Sequence, residues 1–538
     1  MTLKIFWPRL PGRIRRGLSA AVPVLLAAGL FFSAVADAQA AVRLRKNIDD
    51  LTPQELAAYE HAIDMMRKKS LANKNDREGY LWQAWVHNCN GVPVPDSGAA
   101  VPIVADPAKN GWFSDSDAFC PPMKSPPAGF HTEHPGMCEH GKDLFLPWHR
   151  AEFFYYEQAL RAADPAGTSG PSTKDVTVPY WNFTQTPSGV RFPKAFENKT
   201  SPLFYPGRTE GPPTAEDKQR TSPYLLAYLI RDLQWPQFGG YRVGGPGNYG
   251  AFESMIHNYM HDAYIGGVLK RPSTAGLDPL FFSYHAFIDY ILEEWIDSHA
   301  AAEITSPGQY LRGQQSLAFA NPPGFTPGSG LQTMGQVKNY LDITALGYGF
   351  DPGGRPQFFT EAELTRLTQA YDAENKQGFG VAPESFFTYL LSGDDGAGYQ
   401  SGANPSVTQS VSVTLPLPAE GSVAAVELVR KPLHQGYSYQ ADVYLHPASV
   451  AADLKDTAFR SRYLATSVNY WELSGAGHDH GEMSSTRLTA SVQQPVASIQ
   501  AGPLRKEAWM LTVGITPSGT GARPDDFEQP RLTAIPAH

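Results

Sequence analysis

The sequence predicts a mainly helical domain followed by an all-β domain. Three observations predict it. Up to about residue 349, apolar residues recur at helical spacing behind recognisable helix starts. A stretch rich in Gly, Pro and polar residues follows over 352–405. Beyond Ser406 come six short runs, β-branched or aromatic and partly alternating. The chain has 538 residues, 42% apolar and 18% charged, which excludes a disordered or fibrous protein. Its 49 glycines and 46 prolines put much of the length in loops. A formal charge of −9 leaves no general basic surface, so neither nucleic acid nor an anionic membrane is the expected main partner. Small uncharged substrates fit this balance.

Residues 1–40 read as an export signal: Lys4, Arg9, Arg13, Arg15 and Arg16, then an apolar run from Ala20 to Ala36, then Ala38-Gln39-Ala40 as a cleavage pattern. The mature chain is therefore expected to be periplasmic or secreted, with no stable membrane insertion after cleavage; a retained anchor is the alternative. The pair Arg15-Arg16 leaves twin-arginine export open. In the helical domain, 41–351, Thr52 and Glu55 form a capping box with Pro53 at the first helical position. Pro147 marks the start of LPWHRAEFFYYEQALRAA, and GAFESMIHNYMHD and PLFFSYHAFIDYILEEWI read as two more helices. The 352–405 segment, with helix-like TEAELTRLTQAYDAE, reads as a linker or cover. In 406–538 the runs VSVTLPLP, VAAVELVRKP, YQADVYLHP, YLATSVNYWEL, TRLTASV and AWMLTVGITP predict six strands in a sandwich or barrel.

His257 and His261 stand four residues apart and share a helix face, and His285 lies on another apolar helix. His140 and His149, with His87 upstream, form a second set; His131 and His134 are rivals to His87. Two sets of three neutral imidazoles suit copper better than magnesium or calcium. The absence of a Glu-x-x-His carboxylate motif weakens a di-iron reading. Cys89, Cys120 and Cys138 give one pair and a leftover thiol in an oxidising compartment, and sequence alone leaves the pairing open.

Taken together, Cys138-x-His140, His149-Arg150, Glu157, PYWN at 179–182, HNYMH at 257–261 and DPLFFSYHAFID at 278–289 resemble the two copper motifs of tyrosinases and polyphenol oxidases. The resemblance implies a four-helix bundle around a dinuclear type 3 copper centre that uses O2. It puts His87, His140 and His149 on copper A and His257, His261 and His285 on copper B. Tyr284, Tyr290 and Asn182 depart from the residues usual at their positions. By the same resemblance Cys138 stands where fungal members carry a thioether to the ligand histidine, here His140, which leaves Cys89 and Cys120 to pair; a disulfide of Cys138 is the alternative. Arg150 and Asp289 match a buried pair that ties the copper-bearing helices together.

The implied reaction is oxidation of o-diphenols to o-quinones, with ortho-hydroxylation of monophenols. Glu253 and Asn258 match positions that hold a proton-accepting water, and Asp262 a position facing the incoming substrate, where a carboxylate favours amines and uncharged phenols. Pro272 is small where plant oxidases place a gate phenylalanine, which favours an enzyme over a haemocyanin-like oxygen carrier. An o-aminophenol oxidase is a further alternative. LGYGFDP at 346–352 resembles the motif that closes the catalytic domain. The β domain after it would then cover the copper site in a latent form, inserting Tyr437 or Tyr439; an independent adhesion or stability domain is the competing reading. The loop GHDHGEM, with His478, His480 and Met483, reads as exposed and polar; a loop that hands over copper is the alternative.

Overall fold

The computed structural model describes residues 42–91, 112–114, 117, 119–120, 138–184, 190–209, 211–240, 249–299, 316–318, 334–351, 405–416, 422–431, 438–470, 486–517 and 523–536. The leader 1–40, most of the 352–405 segment, His131, His134, Tyr437, the GHDHGEM loop and the side chain of Cys120 lie outside the described residues.

The helix Pro53–Ala72 opens with the expected capping box, Thr52 Oγ1 accepting from Glu55 N at 3.2 Å and Glu55 Oε2 from Thr52 N at 2.9 Å. It packs on Tyr80–His87 and on Phe145–Ala162, and the latter packs along Leu280–Ser298. Phe145–Ala162 starts two residues ahead of Pro147, which the first turn of a helix accommodates. Between the last two helices the rings of Tyr156 and Phe282 stack at 3.7 Å. Large apolar side chains such as Trp148, Phe281 and Ile291 are fully buried here, each stabilising by about 1.5–3 kcal/mol. The ends of the helical domain meet: Arg43–Arg45 pairs in parallel with Tyr348–Phe350.

HNYMH departs from the α-helical expectation. Glu253–His257 and Met260–Ile265 are π-helical, with Asn258 N–H donating to Glu253 O and Gly266 N–H to His261 O, each five residues back. Wide turns of this kind concentrate at functional sites.

The C-terminal region forms two antiparallel sheets. One has the strand order Leu464–Tyr470, Tyr439–Pro447, Trp509–Pro517, Val407–Val413; the other has Thr486–Ser491, Ser422–Arg430, Arg531–Pro536. There are seven strands here among the described residues, against six expected. The additional strand, Arg531–Pro536, completes the second sheet; its proline ends it on an edge, where a missing N–H costs nothing. Val426, Leu445, Val468, Leu511 and Val513 are buried in the core of this region. No helix among the described residues is long and apolar enough to cross a membrane.

Candidate metal centre

Six histidines converge in the helical interior: His87, His140, His149, His257, His261 and His285, none more than 2% exposed. His87 ends Tyr80–His87, His149 sits in the first turns of Phe145–Ala162, and His285 lies inside Leu280–Ser298. His140 precedes a turn at Gly141, whose φ of 66° suits glycine. The π-helical turns carry His257 and His261. An α-helical step of four residues overshoots a full turn by about 40°, and the wider turn reduces this, so the two ring centroids lie 4.5 Å apart. Ring separations within the first set are 5.0–5.6 Å, and within the second 4.5–5.2 Å. Across the sets His140 lies 5.3 Å from His257, and His149 lies 5.0 Å from His285.

Every Nδ1 has an oxygen partner. His87 faces Pro272 O at 3.2 Å, His149 faces Phe145 O at 2.7 Å, His261 faces Leu269 O at 3.0 Å and His285 faces Phe281 O at 3.1 Å. His140 faces Glu253 Oε1 and His257 faces Asn258 Oδ1, both at 2.9 Å. An acceptor on Nδ1 fixes the proton there and leaves Nε2 as the lone-pair donor. The Nε2 atoms face one another: His257 to His285 at 3.2 Å, His87 to His140 at 3.4 Å. The triads interlock, because His285 belongs both to a cluster with His87 and His149 and to one with His257 and His261, in each of which the ligand atoms are within 4.8 Å of one another. Burial, reinforced by neighbouring imidazoles, pulls His87, His140, His257, His261 and His285 well below the ordinary histidine value, and burial alone takes His149 down to about 3. All six are thus neutral, the form that binds metal. His149 Nε2 is buried with no hydrogen-bond partner among the described residues, an orphan that a metal would satisfy. An all-imidazole donor set fits copper.

The residues around the ligands do more than their sequence positions suggest. Glu253 is fully buried and, besides His140, accepts from Gly141 N at 2.9 Å; burial pushes its carboxyl well above the ordinary range, with that N–H working against it. Pro272, picked out for its small side chain, supplies the carbonyl that orients His87. Asp262 is buried in the second π-helical turn, and burial, opposed by Lys270, pushes it up to about 6. Cys138 is a free cysteine, while Cys89 is disulfide-bonded. The Cys138 thiol accepts from Asn88 Nδ2 at 3.2 Å and lies within 4.8 Å of ligand nitrogens of His87 and His140. The backbone of Cys120 pairs with that of Gly91.

Arg150 Nε lies 2.5 Å from Asp289 Oδ1, within a larger network. Arg45 reaches Asp289 Oδ2 at 2.6 Å and Glu157 Oε1 at 2.7 Å, Arg150 reaches Glu293 at 2.9 Å, and Tyr348 OH donates to Asp289 at 2.6 Å. Arg45 was not anticipated: it sits at the edge of the expected leader and its partners are far away in sequence. Tyr439 is packed into the β-domain core, stacked on Tyr470 at 5.0 Å and edge-on to Phe527 at 5.2 Å, so its ring is already occupied there rather than inserted among the histidines.

The model of the common central domain of tyrosinase matches residues 83–228 and 211–298, the span that carries all six histidines. A tyrosinase of Hahella sp. is 25% identical over 283 residues, 47% of this chain and 53% of its own length. The latent polyphenol oxidase of Prunus armeniaca is 29% identical over 184 residues, 28% of this chain and 29% of its own. The chain thus spans about half the length of the first of these relatives and less of the second. Among solved structures, latent apple tyrosinase superposes with a TM-score of 0.57 at 15% identity, covering 92% of this chain and 97% of its own. A latent aurone synthase gives 0.55 at 16% identity, covering 92% and 90%. At these identities the structural likeness speaks for the fold. Together with the histidine geometry, the comparisons lead to one assignment: residues 83–298 carry the common central domain of tyrosinase, and the chain is similar to the tyrosinases and polyphenol oxidases, the type 3 copper proteins.

Proposed function

We propose that this protein oxidises small phenols with O2 at two copper ions, converting o-diphenols to o-quinones and hydroxylating monophenols at the ortho position. The observation that carries the reading is the set of six neutral imidazoles with every Nδ1 held by an acceptor and the Nε2 atoms turned towards one another. Copper, when bound, supplies the redox chemistry and the O2-binding capacity that no side chain here has. The chain's own residues orient the ligands, exclude water and handle protons. Glu253 and Asn258 hold the proton-accepting water, each beside a ligand imidazole. Asp262 disfavours phenols that carry a carboxylate. Cys138 joins His140 through a thioether and Cys89 pairs with Cys120. The latent forms named among the structural relatives support a β domain that restrains the site until it is displaced, and the basic and apolar leader supports export.

The reading is tested by copper analysis and O2 uptake with 4-methylcatechol, tyramine, tyrosine and 2-aminophenol. Two coppers per chain are expected, with catechol turnover and with tyramine preferred to tyrosine. His149→Ala and His261→Ala should each halve the copper content or worse and abolish oxidation; unchanged copper and activity in either would overturn the assignment.

A further inference from the structure

The strand Leu464–Tyr470 of the β domain lies against the π-helical turn Glu253–His257. Directed bonds hold this seam. Arg220 Nη2 donates to Ser467 Oγ at 2.6 Å and Nη1 to Ser467 O at 3.3 Å. Tyr470 stands edge-on to Tyr249 at 6.1 Å. Beside them a cavity of about 140 Å³, lined by Leu229, Gln237, Ser254, Met255, Thr466 and Val468, leaves the two sides incompletely packed. A joint built in this way separates more readily than a close-packed core.

Asn258 bridges the two sides. Its Oδ1 faces His257 Nδ1 at 2.9 Å, and its Nδ2 donates to the backbone oxygen of Asn469 at 2.7 Å. The side chain is fully buried. One end of the amide therefore orients a copper ligand, and the other is held by the β domain.

We propose that the β domain controls the site through this bond and not by bulk alone: Asn469 O captures the amide that otherwise holds the proton-accepting water. This deepens the phenol-oxidase reading and rests on it. A monophenol, with a hydroxyl pKa near 10, must pass its proton to that water before its ring is hydroxylated. Docking of the β domain thus suppresses monophenol hydroxylation more than o-diphenol oxidation, and undocking returns the amide N–H to the water. Asn469 is a positioning residue acting through Asn258.

The test uses the copper-loaded full chain, cut by protease between 352 and 404, and compares tyramine with 4-methylcatechol before and after. The tyramine to 4-methylcatechol rate ratio is expected to rise about fivefold or more, the scale of one hydrogen bond. Full-length Ser467→Ala, which removes one Arg220 bond and touches no copper ligand, should raise the same ratio without cutting. Asn258→Asp keeps an acceptor towards His257 but has no N–H for Asn469, so its ratio should no longer respond to cutting; copper content verifies that each variant is folded. If cutting raises both rates by one factor, or yields catechol oxidation with no tyramine hydroxylation, amide capture is wrong while the oxidase reading stands. If the copper-loaded cut protein oxidises no catechol, the oxidase reading itself fails and takes the proposal with it.

Discussion

Glu152 lies three residues past His149 on the same helix, buried, and neither of its carboxyl oxygens has a hydrogen-bond partner among the described residues. Burial holds this carboxyl well above its ordinary value. Above the unfolded pKa the unfolded chain releases this proton while the folded chain keeps it. Stability therefore falls as pH rises, by about 1.4 kcal/mol per unit, until the folded value is reached. Glu152→Gln should match the wild type near pH 4 and be the more stable protein at pH 7–8, measured by urea unfolding; parallel pH profiles would show that Glu152 does not stay protonated. At this scale the sequence is legible where chemistry restricts the residue type. Imidazoles that bind copper are histidines and little else, so all six ligand candidates were readable from spacing and motif. Two of the groups that aim them, Glu253 and Asn258, stood out by motif; the other four did not. Pro272, Leu269, Phe145 and Phe281 act through backbone carbonyls, which every residue carries, and Arg45 finds Glu157 and Asp289 across 112 and 244 residues.

Elements decide how rigidly those groups are presented. The short helix Pro272–Ala275 can place Pro272 O against His87 only because Gly276 lets it approach Tyr80–His87 closely: a Cβ on Gly276 would sit 2.8 Å from the Cα of Ala84. That neighbour is backbone and cannot swing aside. Gly276→Ala should push the two helices apart and weaken the anchor of His87, so copper should be lost first from the site that includes His87. Graded chelation is expected to remove one equivalent of copper from the variant about tenfold more readily than from the wild type, in the range seen when an outer-shell partner of a ligand is lost. Equal release of both equivalents would show that the close approach is not what holds His87. Helix positions were readable because apolar periodicity and capping signals are local. The π-helical winding of 253–265 was not, since HNYMH suits an α-helical step equally well and the choice between them is made by packing against other elements. The strand Arg531–Pro536 escaped notice for a similar reason: RLTAIP is short and weakly alternating, and becomes a strand by pairing with Ser422–Arg430.

The molecule as a whole is closed by long-range pairings that no local pattern announces. The first described strand of the helical domain meets its last one, and beneath that pairing Arg45 and Arg150 share Asp289 while Tyr348 donates to it. Burial acts to raise the Asp289 carboxyl, but Arg150 and Arg45 together override it and hold it below the ordinary range. All these groups lie between Val42 and Asp351, as do the six histidines, whereas the C-terminal sheets follow the 352–404 segment in sequence and meet this region at the seam around Asn469. Cutting that segment should therefore leave the copper-bearing core intact, while removing Arg45 leaves buried carboxylates short of a partner. Truncating one member of a buried charge network costs about 3–5 kcal/mol, and in a domain of a few hundred residues each kcal/mol shifts the melting midpoint by about 2–4 °C. Arg45→Ala in the full chain is expected to lower the calorimetric transition of the helical domain by at least about 6 °C, and cutting after Asp351 to move it by less than half of that with copper retained. A cut protein that melts as early as Arg45→Ala would mean that the β domain, and not the pairing of the two ends, is what closes the copper-bearing core.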